Sequence, residues 1–398
     1  MRILVIKGLS QYGGTRLFAD EAAAAFHRRG DVAEIFDLGV GETPHADFAA
    51  AAARRFDLVL SFNIMGDFRS PAGATMAELF GCPHVVWHTD YILASWDRLR
   101  GTPPSTPLLV VDPTQVDALA AAGPDRHRAR FFPHPAVGTP IPDELDAEAF
   151  AAGRPIPVLW SGGYVPPQRP WSAASPGTQK IMDTAVDLAL SVEWMPPHLA
   201  LAQVLKAVGY DLSDPAGRQR LAGAWLIDAE VRTTRRQAFL HALADSGAPL
   251  HICGEGWEPH LHRFSNATWH GPVAMTRMVE LMRQSRVVLN TNGNFGAGSH
   301  ERPFSAALAG AATFSDHSLY YAAEFQPGVD IELFSWLDLA GAMDRLSALS
   351  TDPERCWTMA RSAKALTLAR HTWDRQVPDI LAAAGLPTEP VAPQGAPG

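Results

Sequence analysis

The chain has 398 residues, 47% of them hydrophobic and 19% charged, with a formal net charge of −9 at pH 7. This length allows two domains with full hydrophobic cores, and the acidic balance argues against a nucleic-acid-binding protein, which needs a basic face. No run of about 18 apolar residues is present, so we expect no transmembrane segment. The N-terminus is too short for a signal-peptide core, and we therefore expect a cytoplasmic protein.

The first 137 residues alternate apolar stretches with alanine-rich ones. Strands are predicted at 1–8, 32–38, 56–62, 83–90, 108–112 and 129–133, and helices at 17–29 and 46–55. Strands that are apolar nearly throughout and alternate with helices indicate a parallel sheet covered on both faces. We predict a Rossmann-like N-terminal domain over 1–137.

A linker rich in Pro, Gly and acidic residues is predicted over 138–155, and a second Rossmann-like domain over 156–370. Within the second domain, 164–230 is mostly helical in pattern, which predicts a helical insertion. A final helix, 371–386, is expected to pack back onto the first domain. The last residues, 387–398, are rich in Pro and Gly and are predicted to be disordered.

The most informative stretch runs from a buried strand ending at Asn290 into a glycine-rich loop and a short helix. Gly296 and Gly298 would let the backbone approach a ligand closely, and Pro303 suits the first turn of a helix. The free N–H groups at a helix start attract anions, and Arg302 adds a guanidinium suited to phosphate. We expect a diphosphate here, although an ordinary strand-loop-helix connection would have the same pattern.

Ligands of open α/β sheets bind at the carboxyl ends of the strands, and chemically active residues cluster there in both halves. The predicted binding residues are Gly13, Gly14 and His134 in the first half, and Arg235, Gly254, Glu255, Asn290, Asn292, His300, Glu301 and Arg302 in the second. Asp90 and His88 are predicted catalytic residues, because either could deprotonate an acceptor hydroxyl. A residue of either type at a strand end also serves as a hydrogen-bond brace.

No metal site is predicted. The three cysteines, Cys82, Cys253 and Cys356, are far apart in the chain, and the fifteen histidines show no metal-ligand spacing. We expect buried thiols in a reducing compartment.

Taken in order, the motifs of the second half resemble the spore-maturation-protein (CgeB-like) group of GT-B glycosyltransferases, of the glycosyl transferases group 1 type. The matching stretches are Gly-Glu-Gly-Trp at 254–257, Gly-Pro-Val at 271–273, the strand and helix at 287–310, Phe-Gln-Pro-Gly at 325–328, Asp-Pro-Glu at 352–354 and His-Thr-Trp-Asp-Arg at 371–375. The resemblance covers most of 230–380 and, loosely, 56–137, where Trp-His-Thr-Asp at 87–90 resembles a strand of the group that ends in Asp.

This resemblance implies the GT-B fold, in which two Rossmann-like domains face each other across a cleft. It also implies a metal-independent hexosyl transfer without a cofactor, from a nucleotide-diphosphate sugar to a glycan, protein or small-molecule acceptor. Ser305 stands where related enzymes often carry a Glu that contacts the donor ribose, so this contact is expected to differ, and Glu301 is a possible substitute.

Two other functions fit the same pattern. A non-catalytic relative would bind a nucleotide sugar or a protein partner without turnover, and the missing Glu at Ser305 keeps this alternative open. A nucleotide-sugar epimerase of the same architecture would need paired carboxylates or histidines in the cleft, and no acceptor.

Overall fold

A computed structural model describes residues 1–39, 44–63, 73–123 and 128–389. The first sheet has six parallel strands in the order β2-β1-β3-β4-β5-β6. Its strands are β1 (Arg2–Lys7), β2 (Val32–Asp37), β3 (Leu58–Phe62), β4 (His84–His88), β5 (Pro107–Val110) and β6 (Arg128–Phe131).

The second sheet also has six parallel strands, in the order β12-β11-β10-β7-β8-β9. Its strands are β7 (Ile156–Ser161), β8 (Leu250–Cys253), β9 (Ala267–Trp269), β10 (Ser285–Asn290), β11 (Ala312–Asp316) and β12 (Glu332–Phe334). Two parallel sheets with flanking helices are the architecture of GT-B proteins, so the fold class predicted from the sequence is confirmed.

Helices connect the strands of both sheets. Those of the first half are α1 (Gly14–Arg28), α2 (Pro44–Ala52), α3 (Met76–Phe80), α4 (Trp96–Leu99) and α5 (Thr114–Ala122). Those that follow are α6 (Ala147–Gly153), α7 (Pro176–Ser191), α8 (Pro197–Ala207), α9 (Pro215–Leu221), α10 (Ala224–Asp245), α11 (Met275–Arg283), α12 (Glu301–Leu308), α13 (Leu319–Glu324), α14 (Leu339–Ser350), α15 (Pro353–Arg370) and α16 (Trp373–Ala384). None of the described helices is long and apolar enough to cross a membrane.

The segment between the two sheets is partly helical. Helix α6 forms inside the predicted linker because Asp146 caps it, accepting a hydrogen bond from the Ala149 backbone N–H at 2.8 Å. Phe150 on this helix is fully buried and packs in the core of the second sheet. A short helix therefore forms in a segment whose composition predicted only a linker.

The residues predicted as a helical insertion form α7, α8, α9 and the start of α10. Their apolar faces, which include Ala185, Leu201 and Ile227, belong to the same buried cluster as Phe18 of α1 and Val110 of β5. The insertion thus contributes to the core that covers the first sheet.

The chain returns to the first sheet at its end. Helix α16 lies against α1 and β4, and the Trp373 ring meets the Trp87 ring at a centroid distance of 5.6 Å. Of the predicted disordered tail, residues 390–398 lie outside the described ranges. The backbone carbonyls of 387–389 each accept a hydrogen bond from Arg29 Nη2.

Candidate active site

The carboxyl ends of the two sheets face each other across a polar cleft of about 650 Å³. A smaller and largely apolar cavity of about 140 Å³ adjoins it on the side of the second sheet. Three residues line both spaces, namely Tyr12, Met275 and Glu301. The two spaces therefore form one continuous candidate site.

The wall formed by the first sheet carries a fixed carboxylate. Asn63 follows β3 with a left-handed backbone conformation (φ 49°), and its Nδ2 donates to Thr89 Oγ1 and to Asp90 Oδ2, both at 2.9 Å. Its Oδ1 accepts from the Thr89 backbone N–H at 2.8 Å. Asn63 therefore orients the loop after β4, and it leaves the Asp90 carboxylate exposed on the cleft.

The two residues predicted to be catalytic are separated by the structure. His88 is the last residue of β4 and is only 1% exposed, whereas Asp90 lies two residues beyond the strand end. His88 is not among the residues that line the cleft. Asp90 is the one of the pair that a substrate can reach.

Gly13 and Gly14 lie in the turn before α1. Gly13 is the residue before the helix and has a left-handed conformation (φ 76°) that suits glycine. Gly14 lines the cleft. A Cβ at either position would meet no atom within 4 Å, so the space at the turn is open toward the cleft.

His134 lies in the cleft wall and is a neutral imidazole. Its Nδ1 lies 2.9 Å from the Ser299 carbonyl oxygen, so Nδ1 carries the proton and Nε2 is the acceptor. Burial, with a smaller contribution from the nearby charge of His300, lowers the pKa of His134 to about 3. At neutral pH this residue offers a lone pair without a positive charge.

Glu301 is an ionised carboxylate at the junction of the two spaces. Burial alone would raise its pKa, but the positive charge of His300, a hydrogen bond from His300 and the charge of Arg302 lower it to about 2. The His300 Nδ1–H donates to Glu301 Oε2 at 2.5 Å. Because this proton is committed, the approach of the Arg302 backbone N–H to the same nitrogen, at 3.4 Å, is a weak contact.

Arg302 is oriented by the end of β10. Its Nη1 donates to Asn290 Oδ1 at 2.9 Å, and the Asn290 Nδ2 in turn donates to Ser315 Oγ at 2.9 Å. Asn290 is fully buried and therefore acts on Arg302 rather than on the cleft. Arg302 lines the apolar cavity.

Two arginines of α10 lie near Arg302 and were not singled out together from the sequence. Burial and the positive charges of Arg232 and Arg302 lower the pKa of Arg236 to about 9. Within the described ranges, no carboxylate forms an ion pair with any of these three guanidinium groups. The spacing of Arg232 and Arg236, four residues apart on one helix, was the signal available in the sequence.

Arg235, which was predicted to bind substrate, points elsewhere. Its Nη2 donates to the carbonyl oxygens of Ala189 and Val192, at 2.9 and 3.0 Å, and its Nη1 donates to Asn294 Oδ1 at 3.3 Å. The side chain is only 5% exposed and lines neither space. Arg235 holds α7 and the loop after β10 against α10.

Asn292 supports the glycine-rich loop from inside. Its backbone N–H donates to Asp316 Oδ1 at 2.7 Å, its Oδ1 accepts from the Tyr321 hydroxyl at 3.0 Å, and its Nδ2 donates to the Gly298 carbonyl at 3.2 Å. The side chain is only 5% exposed and lines neither space.

The loop's glycines approach the protein itself, which corrects the expectation that they approach a ligand. A Cβ on Gly298 would lie 2.2 Å from the Val111 carbonyl oxygen, and a Cβ on Gly296 would lie 3.3 Å from Trp194. The Ser299 N–H donates to the same Val111 oxygen at 3.0 Å. The loop therefore joins the second sheet to the end of β5.

Ser305 also serves the junction between the two halves. Its hydroxyl donates to the Glu301 carbonyl at 3.0 Å and accepts from the Val137 backbone N–H at 3.1 Å. Ser305 is fully buried. Where related enzymes often carry a Glu, this chain thus has a serine that connects the backbone of Val137 to that of Glu301.

The turns after β7 and β8 form the floor of the apolar cavity. Gly254 has a φ of 135°, and a Cβ there would lie 2.4 Å from the Gly162 carbonyl oxygen, so only glycine fits. Glu255 accepts from Gln11 Nε2 at 3.0 Å, and the Met275 N–H donates to the Tyr12 carbonyl at 2.8 Å. These contacts bring the loop after β1 over the second sheet.

Tyr12 is the aromatic residue of that loop that the sequence reasoning missed. Burial and a hydrogen bond to Glu255 raise its pKa to about 12, so the phenol stays protonated at neutral pH. In the described part of the chain, no group of three or more His, Cys, Asp or Glu side chains is placed to hold a metal ion.

Residues 232–382 match a family model described as glycosyl transferase-like. This segment contains all three arginines, Glu301 and most of the apolar cavity. No curated protein matches the chain at a significant level.

Solved structures match nearly the whole chain in fold. Anabaena Alr3699/HepE, in complex with UDP and glucose, has a TM-score of 0.52 at 13% identity, over 96% of this chain and all of that one. An alpha-glucosyltransferase in complex with UDP-glucose and DNA has a TM-score of 0.54 at 12% identity, over 97% and 99%. The sucrose-phosphate synthase of Thermosynechococcus elongatus has a TM-score of 0.54 at 10% identity, over 95% and 97%.

Proposed function

We propose that this protein transfers a sugar from a nucleotide-diphosphate sugar to an acceptor hydroxyl. The observation that carries the proposal is the group of three guanidiniums, Arg232, Arg236 and Arg302, of which Arg302 lines the apolar cavity. Burial and, after it, the like charges of Arg232 and Arg302 lower the pKa of Arg236, and no described carboxylate forms an ion pair with any of the three. Such a group stabilises an anion with two or more charges, as a diphosphate has.

The three arginines are suited to stabilise the leaving group of the reaction. When the bond between the anomeric carbon and the diphosphate oxygen breaks, that oxygen takes the electron pair, and its charge needs fixed positive groups. Arg302 lines the cavity, and the N–H groups that begin α12 lie beside it. These groups support a transfer that does not use a metal ion, which is part of the proposal.

Asp90 is the proposed base on the acceptor side. A new bond forms between the acceptor oxygen and the anomeric carbon, and the hydroxyl proton moves to the carboxylate. The support for this role is the exposure of Asp90 on the cleft and its fixed orientation by Asn63. Glu301, ionised and at the junction of both spaces, is proposed to contact hydroxyls of the donor.

Finer assignments belong to the same proposal. The family match at 232–382 and the fold of the sugar-nucleotide complexes support a hexosyltransferase. We also propose membership of the CgeB-like group, a cytoplasmic location, and a glycan, protein or small molecule as the acceptor. The proposed ligands among the residues first singled out are Gly14, His134, Gly254, Glu301 and Arg302.

The test is a binding and turnover panel of nucleotide-diphosphate sugars with wild type, Arg302→Ala and Arg370→Ala. Arg370 is an exposed arginine that lines neither space and serves as the matched control. At a hundredfold excess over the dissociation constant, a donor should stabilise the folded state by about 2.7 kcal/mol. We expect this stabilisation in wild type and Arg370→Ala, and its loss in Arg302→Ala.

The other functions give different results in the same panel. Binding without release of nucleoside diphosphate, across a broad set of acceptors, would identify a non-catalytic binding protein. Conversion of the donor to a sugar isomer with no acceptor would identify an epimerase. If no nucleotide sugar stabilises the wild type, the proposed function is wrong.

A further inference from the structure

Two histidines face each other at the edge of the second sheet. His251 lies on β8, and His270 directly follows β9, an edge strand. The register pairs His251 with Thr268, and His270 lies two residues further along, so both imidazoles are on one face of the sheet. His251 Nδ1 and His270 Nε2 are 2.9 Å apart. The strand pairing thus brings together two side chains that are distant in the sequence.

Both imidazoles are neutral at neutral pH. Partial burial lowers the pKa of His251, with a smaller contribution from the charge of His270. Partial burial also lowers the pKa of His270, and the positive charge of Arg277 adds to this effect. In the pair, one facing nitrogen carries a proton and the other accepts it. If this proton moves to the other nitrogen of its own ring, both facing nitrogens offer a lone pair, and the pair releases no proton.

The separation of the facing nitrogens suits two bonds to one metal ion. Two nitrogens 2.9 Å apart, each about 2.05 Å from an ion, subtend an angle of about 90° at it. This is the angle between neighbouring ligands in the square-planar and tetragonal sites of Cu²⁺ and Ni²⁺. A tetrahedral Zn²⁺ would need about 109°, and hence nitrogens about 3.3 Å apart. The distance therefore favours copper or nickel over zinc.

The pair is accessible to ions from solvent. His270 is exposed and His251 is half-buried, and neither lines the cleft or the apolar cavity. The Arg277 guanidinium, whose charge acts on His270, forms an ion pair with Glu280 at 2.7 Å, which offsets that charge. The His270 backbone N–H donates to the Ile252 carbonyl at 2.9 Å. The two rings therefore start from backbone positions that the sheet holds in place.

We infer that His251 and His270 form a two-histidine site for a divalent late transition metal ion of the copper or nickel type. The facing nitrogens would exchange their mutual hydrogen bond for two bonds to the ion, and water would take the remaining positions. The bound ion would link β8 to the segment after β9. This site lies outside the proposed transfer reaction and does not depend on it.

The first experiment compares metal ions by calorimetry on the full chain without an affinity tag. We expect Cu²⁺ to bind most tightly and Ni²⁺ and Zn²⁺ to bind more weakly, in keeping with the general order of affinity for nitrogen ligands. Mg²⁺ and Ca²⁺ prefer oxygen ligands and should not displace Cu²⁺. Displacement of Cu²⁺ by either ion would overturn the inference.

The second experiment removes each histidine in turn. His251→Ala and His270→Ala should weaken binding of the first equivalent of Cu²⁺ at least about tenfold, since even the loss of a group that only supports a ligand costs about 10–100-fold. His262→Ala is the control, because His262 is an exposed histidine outside the pair, with its Nδ1 3.0 Å from the Pro259 carbonyl oxygen. Wild-type affinity in His270→Ala would overturn the inference.

Thermal unfolding with and without Ni²⁺ separates loss of the site from loss of the fold. An ion that binds the folded chain raises its melting temperature. We expect Ni²⁺ to raise that of wild type and His262→Ala, but not that of His270→Ala, whose substitution is at an exposed position. An equal rise in all three proteins would mean that the ion binds elsewhere and that the inference is wrong. Donor binding should be the same in all three.

Discussion

The two walls of the cleft differ in what they hold in place. On the first sheet, the Asn63 amide donates to an exposed carboxylate, that of Asp90, and fixes its orientation. On the second sheet, three arginines gather without a described ion-pair partner beside an apolar cavity. A carboxylate suits the removal of a proton, and a group of cations suits a departing anion. Under the proposed function, each sheet would supply one half of the transfer reaction.

The largest expected effect tests the first wall. Asp90→Asn keeps the shape of the side chain but removes the base, so turnover should fall by about 10²–10⁴-fold. Donor affinity should stay unchanged, because the arginines lie on the other wall. Steady-state kinetics and donor titration measure both. A variant with wild-type turnover would show that Asp90 is not the base.

The next effect compares two neighbouring arginines of the second wall. Arg236→Ala should weaken nucleoside-diphosphate binding about 10–100-fold, since a hydrogen bond to a charged group contributes about 1.5–3 kcal/mol. Arg235→Ala should instead lower the melting temperature, because the oxygens of Ala189, Val192 and Asn294 lose their donor. Calorimetry and thermal unfolding separate the two results. Equal effects on binding would contradict the assignment.

A smaller effect tests the contact between the walls. Gly298→Ala places a Cβ against the Val111 carbonyl and should lower the free energy of unfolding by about 1–3 kcal/mol. Gly177→Ala is the control, because a Cβ there meets no atom within 4 Å. Denaturant unfolding measures both variants. A Gly298→Ala protein as stable as the control would mean that the loop docks differently.

The most gradual expected effect is the dependence of stability on pH, with a slope of at most about 1.4 kcal/mol per pH unit and opposite signs on the two sheets. Burial lowers the pKa of His84 to about 4, so the unfolded chain binds the extra proton and stability falls as pH drops from about 6.5 to 4. Burial raises the pKa of Asp316 to about 7, because the folded state favours the protonated carboxyl. The stability that this protonated group provides is lost as pH rises from about 4 to 7.

Stability curves of His84→Asn and Asp316→Asn measure these contributions. Relative to wild type, the first variant should lose less stability in acid, and the second should lose less as pH approaches 7. Parallel curves for wild type and both variants would show that neither group titrates as its burial indicates.

The sequence predicted the parts of this structure that local patterns determine. Buried parallel strands are apolar nearly throughout, so the sheets could be read directly. One short element was not predicted. Helix α6 lies within the predicted linker, and its only local signal in the sequence is the capping Asp146.

The site was harder to predict because it depends on which way neighbouring side chains point. Arg235 and Arg236 are adjacent, yet they lie about 100° apart around a helix, and only the packing of α7 shows which one is already bound by protein. His88 and Asp90 are separated by the end of β4, a boundary that a pattern cannot place to within two residues. Gly298 lies against the Val111 carbonyl, which belongs to the other half of the chain, so no local pattern could predict this contact.

The short backbone segment 134–137 forms several of the hydrogen bonds between the two halves. The His134 N–H donates to Ser299 Oγ at 2.9 Å, the Ala136 N–H to the His371 carbonyl at 2.6 Å, and the Val137 N–H to Ser305 Oγ. These bonds join the end of the first sheet to α12 and to the start of α16. If the two halves move apart while these three hydrogen bonds persist, the motion must be a rotation about this segment.

Such a rotation would not move all contacts equally. The loop after β1 is held on the second half by the bond between Gln11 and Glu255, at 3.0 Å, and by the Met275 N–H, which donates to the Tyr12 carbonyl at 2.8 Å. A rotation about 134–137 that widens the cleft at this loop would break both bonds.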